Sequence, residues 1–312
     1  MKIISLFSGA GGLDLGLHKA GNEIVWANDI DADAVKTYKY NISDNIIQAD
    51  IKDIDIPSIP DGDVVVGGFP CQGFSIANMR RDIKDERNTL YKFFYDTIHI
   101  KKPKFFIAEN VKGILSLGKG SVIRQIVSDF NRAGYIVEVH KVNMADYGVP
   151  QHRERVIIIG QRRDLGDRVF FKFPLPTNNR TNWVSIKEAL DGLPEPGDTT
   201  KDPNNIASAY KVTVRNFTAH RQTDPDKPCP TILARGNGKG GVCAIPHYNG
   251  TRRLSIRESA IIQTFPKDFI FFGRMGSCYR QIGNAVPVRF GFLLGKELIR
   301  IEEESNECSL VI

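Results

Sequence analysis

Short runs of apolar residues alternate with helix-like spacing through the first half of the chain. Ile3 to Phe7, Ile24 to Ala27, Ile46 to Ala49, Val64 to Gly67 and Lys104 to Ala108 read as short strands bounded by polar or glycine residues. Leu13 to Ala20, Ala32 to Tyr40 and Thr89 to Ile100 carry helical spacing, and Gly21 is a C-terminal stop for the first of them. Val122 to Ala133 is a further helix, and Tyr135 to Val142 and Arg155 to Gly160 are strands. Only about a dozen residues separate these last two, too few for a helical crossover, so they are expected to form an antiparallel hairpin. Strand–helix alternation predicts an α/β fold, a mostly parallel doubly wound sheet with ligands at the carboxyl ends of its strands.

The pattern changes near residue 173. From Pro174 to about Thr251 the chain is rich in Pro, Gly, Asn and Thr, yet it carries Trp183, Tyr210, Phe217 and Tyr248. This predicts a small, irregular, partly β second domain with its own core. Helical spacing returns at Ile256 to Gln263, and a last helix is expected from Val288 to Glu303. The expected division is residues 1–172 with 283–312, and residues 173–282.

Charge sharpens that division. The net charge is +6 and the pI about 9.0, but between Lys201 and Arg257 ten Lys and Arg face three Asp and Glu. The positive charge is local, as on a nucleic-acid surface, although a solvated basic face has the same composition. The five cysteines (71, 229, 243, 278 and 308) form no C-x-x-C pair. That argues against a zinc ribbon or a disulfide framework, and for reduced thiols in a cytoplasmic protein without a metal. The N-terminus is too short for a signal-peptide core, and no apolar stretch approaches the roughly 18 residues of a membrane helix.

Four places can carry chemistry. Phe7-Ser8-Gly9-Ala10-Gly11-Gly12 is a glycine-rich turn between a strand and a helix, where a backbone can approach a ligand closely. It is neither a dinucleotide fingerprint nor a phosphate loop. Asp29 ends the second strand, where ribose-binding acids sit, and Asp50 ends the third; together they suggest a nucleoside cofactor without a pyrophosphate, with a tight turn and incidental acids as the alternative. Cys71 follows Pro70 in a loop at a strand's carboxyl end, a position that suits a nucleophile as well as a small buried filler. Glu109, closing the strand at Ala108, is placed as a proton donor or as a cap. In Gln151-His152-Arg153-Glu154-Arg155 an extended chain puts Gln151, Arg153 and Arg155 on one face, suited to an anion or base carbonyl or to a surface ion-pair ladder.

In order, FSGAGG, GGFPCQGFS, AENV, QHRERV, RESAIIQTFP and QIGNAVPV resemble the motif series of the DNA cytosine-5 methyltransferases, in detail the bacterial modification methylases of restriction systems. The resemblance covers roughly residues 1–165 and 252–295. It implies a Rossmann-like S-adenosylmethionine-dependent methyltransferase sheet and a target-recognition domain in the unmatched middle. Cys71 would attack cytosine C6, Glu109 would protonate N3, and Arg155 with Arg153 would hold O2 and a phosphate. S-adenosylmethionine, leaving as S-adenosylhomocysteine, would be bound by Phe7, Gly9, Gly11, Asp29, Ile30, Asp50, Ile51, Pro70, Asn284 and Ala285. Gln72 and Ser75 would close over a flipped base, and Thr231 and Arg235 would contact double-stranded DNA. A monomer serving beside a companion restriction endonuclease is expected. The chain departs from the family in having Asp29 where Glu is commoner and Ile261 where Arg is common. The competing readings are an RNA cytosine-5 methyltransferase, a nicotinamide-dependent oxidoreductase and a catalytically silent DNA-binding regulator.

Overall fold

A computed structural model describes residues 1–69, 89–166, 170–209, 223–234 and 245–309. Pro70, Cys71, Gln72, Ser75 and Arg235 lie outside the described residues. The elements follow the predicted alternation: β1 (Lys2–Leu6), α1 (Gly12–Lys19), β2 (Glu23–Asp29), α2 (Ala32–Asn41), β3 (Ile46–Gln48) and β4 (Val64–Gly67). Then come α3 (Thr89–Lys101), β5 (Phe105–Val111), α4 (Ser121–Arg132), β6 (Tyr135–Asn143) and β7 (Glu154–Arg162).

One seven-stranded sheet results, in the order β3-β2-β1-β4-β5-β7-β6. The predicted hairpin is present, but β7 inserts between β5 and β6 and runs antiparallel to both. The central strands carry runs of apolar residues because both faces are covered. Ile3, Val64, Val66, Phe105, Ile107, Ile157 and Ile159 face one cluster; Ile4, Val65, Phe106, Ala108, Val156 and Ile158 face the other. On that second face α4 contributes Val122, Ile126 and Phe130, the four-residue repeat of a half-buried helix.

Several boundaries differ from the sequence expectation. β3 stops at Gln48, so Asp50 does not end a strand; its side chain instead caps a 3-10 turn over Ile51–Asp53 by accepting from the Lys52 N–H. β5 continues to Val111, which places Glu109 inside the strand, opposite Ile157. β7 begins at Glu154, and Gln151 makes an isolated parallel bridge to Cys229 instead of opening the strand. In the middle region the described residues contain α5 (Ile186–Leu190) and single bridges at Gln151–Cys229 and Pro246–Arg253, where a partly β domain was expected. Frequent prolines deny ladder donors there.

The C-terminal elements are α6 (Ile256–Ile262), α7 (Met275–Asn284) and α8 (Val288–Ser309). Ile261, in place of the family's Arg, packs against the third apolar cluster. α8 lies so close to α1 that a Cβ on Gly16 would stand 2.4 Å from the Val288 carbonyl oxygen. Gly12 meets the Val286 carbonyl at the same distance. Two missing side chains therefore bring the segment after α7 against the glycine-rich turn. Among the described residues no helix is long and apolar enough to cross a membrane.

Candidate active site

A cavity of about 630 Å³ opens at the carboxyl ends of β1, β2, β4 and β5. That size is within the range of small-molecule sites. Its walls include Phe7, Gly9, Asp29, Ile30, Asp50 and Ile51, together with Glu109, Arg153, Arg155, Asn284 and Ala285. Residues that are remote in sequence thus share one space. Gly11 is not part of the lining. It is the N-cap of α1 at φ 81°, and a Cβ there would strike Ile42 and Tyr38, so its glycine is demanded by packing beneath the turn.

The turn is built by donors that close on the chain nearby. Phe7 and Gly9 both have positive φ, 56° and 57°. For Phe7 this is a strained backbone held where a ligand would be approached. The Ser8 N–H donates to the Asn28 carbonyl, and the Gly9 N–H donates to an Asp29 carboxylate oxygen at 2.7 Å. The other Asp29 oxygen accepts from the Asp31 N–H at 2.8 Å. Burial raises the Asp29 pKa, while the backbone donors at Asp31 and Gly9 oppose the rise. Each carboxylate oxygen keeps a further lone pair, so Asp29 can still accept from a vicinal diol. Beside it Ile30 is 63% exposed, an apolar lip of the kind a purine ring covers. These features fit the adenosine half of S-adenosylmethionine, and Asn284 stands exposed in the same lining. Among the described residues no cluster of His, Cys, Asp and Glu is arranged to hold a metal ion.

Beneath the turn lies a group the sequence reading missed. Asp14 is fully buried; it accepts from the Ser5 hydroxyl at 2.8 Å and the Tyr38 hydroxyl at 2.9 Å. The signal was present as an acid set among Leu13, Leu15 and Leu17 on a short helix whose first six residues are all buried. Burial pushes its carboxyl up to about 6, against the pull of the donated hydrogen bonds. Between about pH 4 and pH 6 the folded state therefore holds a proton that the unfolded state has lost, so stability falls as pH rises through that window. Asp14→Asn should remove this slope. Chemical denaturation at pH 4 and pH 7 should show the wild type losing on the order of 3 kcal/mol relative to the variant. Parallel pH profiles would refute the assignment.

At the other end of the cavity Glu109 and Arg155 form an ion pair, Oε1 to Nε at 2.8 Å, with side chains only 13% and 11% exposed. The Glu109–Ile157 register puts the two side chains on one face of adjacent strands. Gly68 packs against the same carboxylate; a Cβ there would lie 3.3 Å from its Oε2. Asn110 donates to the Phe69 carbonyl at 2.9 Å and so fixes the chain just before Pro70 and Cys71. Of the described cysteines, Cys229 and Cys278 are buried, and burial pushes both thiols up, Cys278 to about 11. Neither is placed to act as a thiolate.

Arg153 lines the same cavity but is tied to backbone. Its side chain is 1% exposed, and its guanidinium donates to the carbonyls of Ile232, Gly283 and Ala285 at 3.1, 3.0 and 2.9 Å. Burial, with Arg155 nearby, pulls its pKa down to about 9, so it stays charged at neutral pH. It braces three segments. Thr231 is likewise an anchor: its hydroxyl donates to the His152 carbonyl. Several described basic residues of the middle region are ion-paired. Arg252 pairs with Glu258 and Glu195, Arg257 with Asp202, Lys227 with Asp224 and Lys201 with Asp198. Lys211, Arg215, Arg221, Arg235 and Lys239 lie outside the described residues.

The arrangement agrees with what the chain is similar to. The sequence profile of the C-5 cytosine-specific DNA methylases matches residues 1–223 and 198–300. A type II methyltransferase of Neisseria gonorrhoeae, M.NgoFVII, is 39% identical over 98% of this chain and 88% of its own. M.FnuDI of Fusobacterium nucleatum, also a type II methyltransferase, is 36% identical over 96% and 94%. Among solved structures, an Escherichia coli prophage protein described as a candidate DNA modification methyltransferase superposes with a TM-score of 0.74. It is 27% identical, over 97% of this chain and 99% of that one. A seven-stranded sheet with one reversed strand, a cavity joining the Asp29 corner to a partly buried Glu–Arg pair, and similarity along nearly the whole chain lead to one assignment: the protein belongs to the C-5 cytosine-specific DNA methylases.

Proposed function

We propose that the chain transfers a methyl group to C5 of a cytosine flipped out of a short specific duplex sequence, using Cys71 as a covalent nucleophile. The observation that carries this reading is the continuity of the cavity from Asp29 and Ile30 to Glu109 and Arg155. S-adenosylmethionine, when bound, supplies an electrophilic methyl group. Phe7, Gly9, Asp29, Ile30, Asp50 and Asn284 would hold it, with Ile51, Pro70 and Ala285 assigned to the same site. C5 of cytosine is not nucleophilic enough until the ring loses aromaticity. Addition of the Cys71 thiolate to C6 does this and drives negative charge towards N3 and O2. Glu109 holds a proton at N3, and Arg155, fixed by Glu109, faces O2. Once C5 is methylated, its proton leaves to solvent, the C6–sulfur bond breaks, and the N3 proton returns to Glu109. Thiolate and carboxylate are restored.

Duplex stacking buries C5 and C6, so the base must leave the helix, at a cost of a few kcal/mol offset by pocket contacts. Gln72 and Ser75 are assigned to closing over the extruded base. Residues 173–282 are assigned to target recognition, with Arg235 reading a base edge, and residues 1–172 with 283–312 to catalysis. The methylation protects host DNA from a companion restriction endonuclease in the cytoplasm, and the protein acts as a monomer.

Purified protein with tritiated S-adenosylmethionine should label unmethylated phage DNA and leave tRNA unlabelled. Base conversion and sequencing should place the label at cytosine C5 in one short motif. Labelling of tRNA alone would favour the RNA methyltransferase, and labelling of neither would favour the silent regulator.

A further inference from the structure

Between the cofactor wall and the middle region runs a buried chain of polar groups that the catalytic scheme does not use. The Ile232 N–H donates to Gln151 Oε1 at 3.0 Å. Gln151 Nε2 donates to Gln263 Oε1, also at 3.0 Å. Gln263 Nε2 donates to the Ile282 carbonyl at 2.7 Å and to the Ala285 carbonyl at 3.3 Å. Arg153 spans the same gap in parallel, from the Ile232 carbonyl to the carbonyls of Gly283 and Ala285. Gln151 and Gln263 are wholly buried.

Two amides linked donor to acceptor have one satisfied orientation. Turning either would set like groups against each other in a dry interior, where an unpaired polar group costs most. Both ends of the chain are functional in the reading above. Ile232 lies three residues before Arg235, and Ile282 to Ala285 carries Asn284 on the cofactor wall. A shift at one end is therefore passed along, because the two intervening amides are wholly buried and linked donor to acceptor.

We propose that Arg153, Gln151 and Gln263 are positioning residues that couple the cofactor wall at Asn284–Ala285 to the target-recognition segment at Cys229–Leu233, so that cofactor and DNA strengthen each other's binding. The proposal rests on the assignment of the cavity to S-adenosylmethionine. Coupling between two such sites is reciprocal and is typically about 5- to 150-fold in affinity.

Hydrogen–deuterium exchange on the full chain, with and without S-adenosylhomocysteine, tests it. The product should slow exchange in the segments 7–14 and 28–31, which carry pocket residues, and also at Cys229 to Leu233, which do not line the pocket. In Gln263→Met the pocket should still be protected while the slowing at 229–233 is lost. Arg153→Lys, which keeps the charge but not the three-way fork, should behave the same way and serves if the first variant does not fold. Pocket protection in the wild type with no change at 229–233 would overturn the coupling alone. Coupled protection surviving in both variants would remove these residues from it. No protection at either place would overturn the cofactor assignment, and the coupling with it.

Discussion

Cys71→Ser is expected to lower methyl transfer by roughly 10³-fold or more while S-adenosylhomocysteine affinity stays within a few-fold of wild type. A serine hydroxyl is scarcely ionised at neutral pH and is a poor nucleophile towards C6, whereas a thiol is partly thiolate there and intrinsically reactive. No described cysteine can substitute for it. Cys229 and Cys278 are buried, their thiols are pushed up, and neither lines the cavity. The cofactor corner at Phe7, Gly9 and Asp29 is made by β1 and β2, so its affinity should survive the exchange. Single-turnover assays give the rate. Duplex DNA carrying 5-fluorocytosine gives a separate readout, because fluorine cannot leave C5 as a cation and the adduct persists. The wild type should form a denaturation-resistant protein–DNA complex and the variant should not. Near-normal turnover by the variant would end the covalent mechanism.

Glu109→Gln should cost about 10²- to 10⁴-fold in transfer rate, the usual range for removing a general acid or base. The amide is close in shape and still offers Arg155 an acceptor where the ion pair stood, so the fold and the Gly68 contact should persist. It cannot hold an exchangeable proton at N3 and return it. The loss should appear in attack at C6 as well as in overall methylation, so release of tritium from cytosine labelled at C5 should fall in parallel. A variant that keeps transfer within tenfold of wild type would move the acid elsewhere.

Arg153 and Arg155 show where sequence reasoning stops. They are the same residue type, two positions apart, and an extended chain puts them on one face. One is half of the buried ion pair at the base end of the cavity, and the other is a brace between three segments. Nothing local separates them. The carbonyls that take up Arg153 lie 79, 130 and 132 residues further along the chain. Composition is equally silent about pairing in the basic middle. A count of lysines and arginines cannot register that Arg252 and Arg257 are paired with Glu258 and Asp202.

What the sequence determined by itself is what periodicity and short motifs encode. The order of strands and helices, the glycine-rich turn, Asp29 at the end of β2 and the antiparallel hairpin all follow from contacts between neighbours in the chain. Tertiary structure alone decided that β7 lies between β5 and β6, and so that Glu109 meets Arg155. It also decided that Gly12 and Gly16 draw the C-terminal segment against the turn and close the cavity. Asp14 held its proton-sharing place only once Ser5 and Tyr38 were folded over it. The physical reason is the same in each case: these groups draw their energetics from partners that only the packed chain brings within a few ångströms.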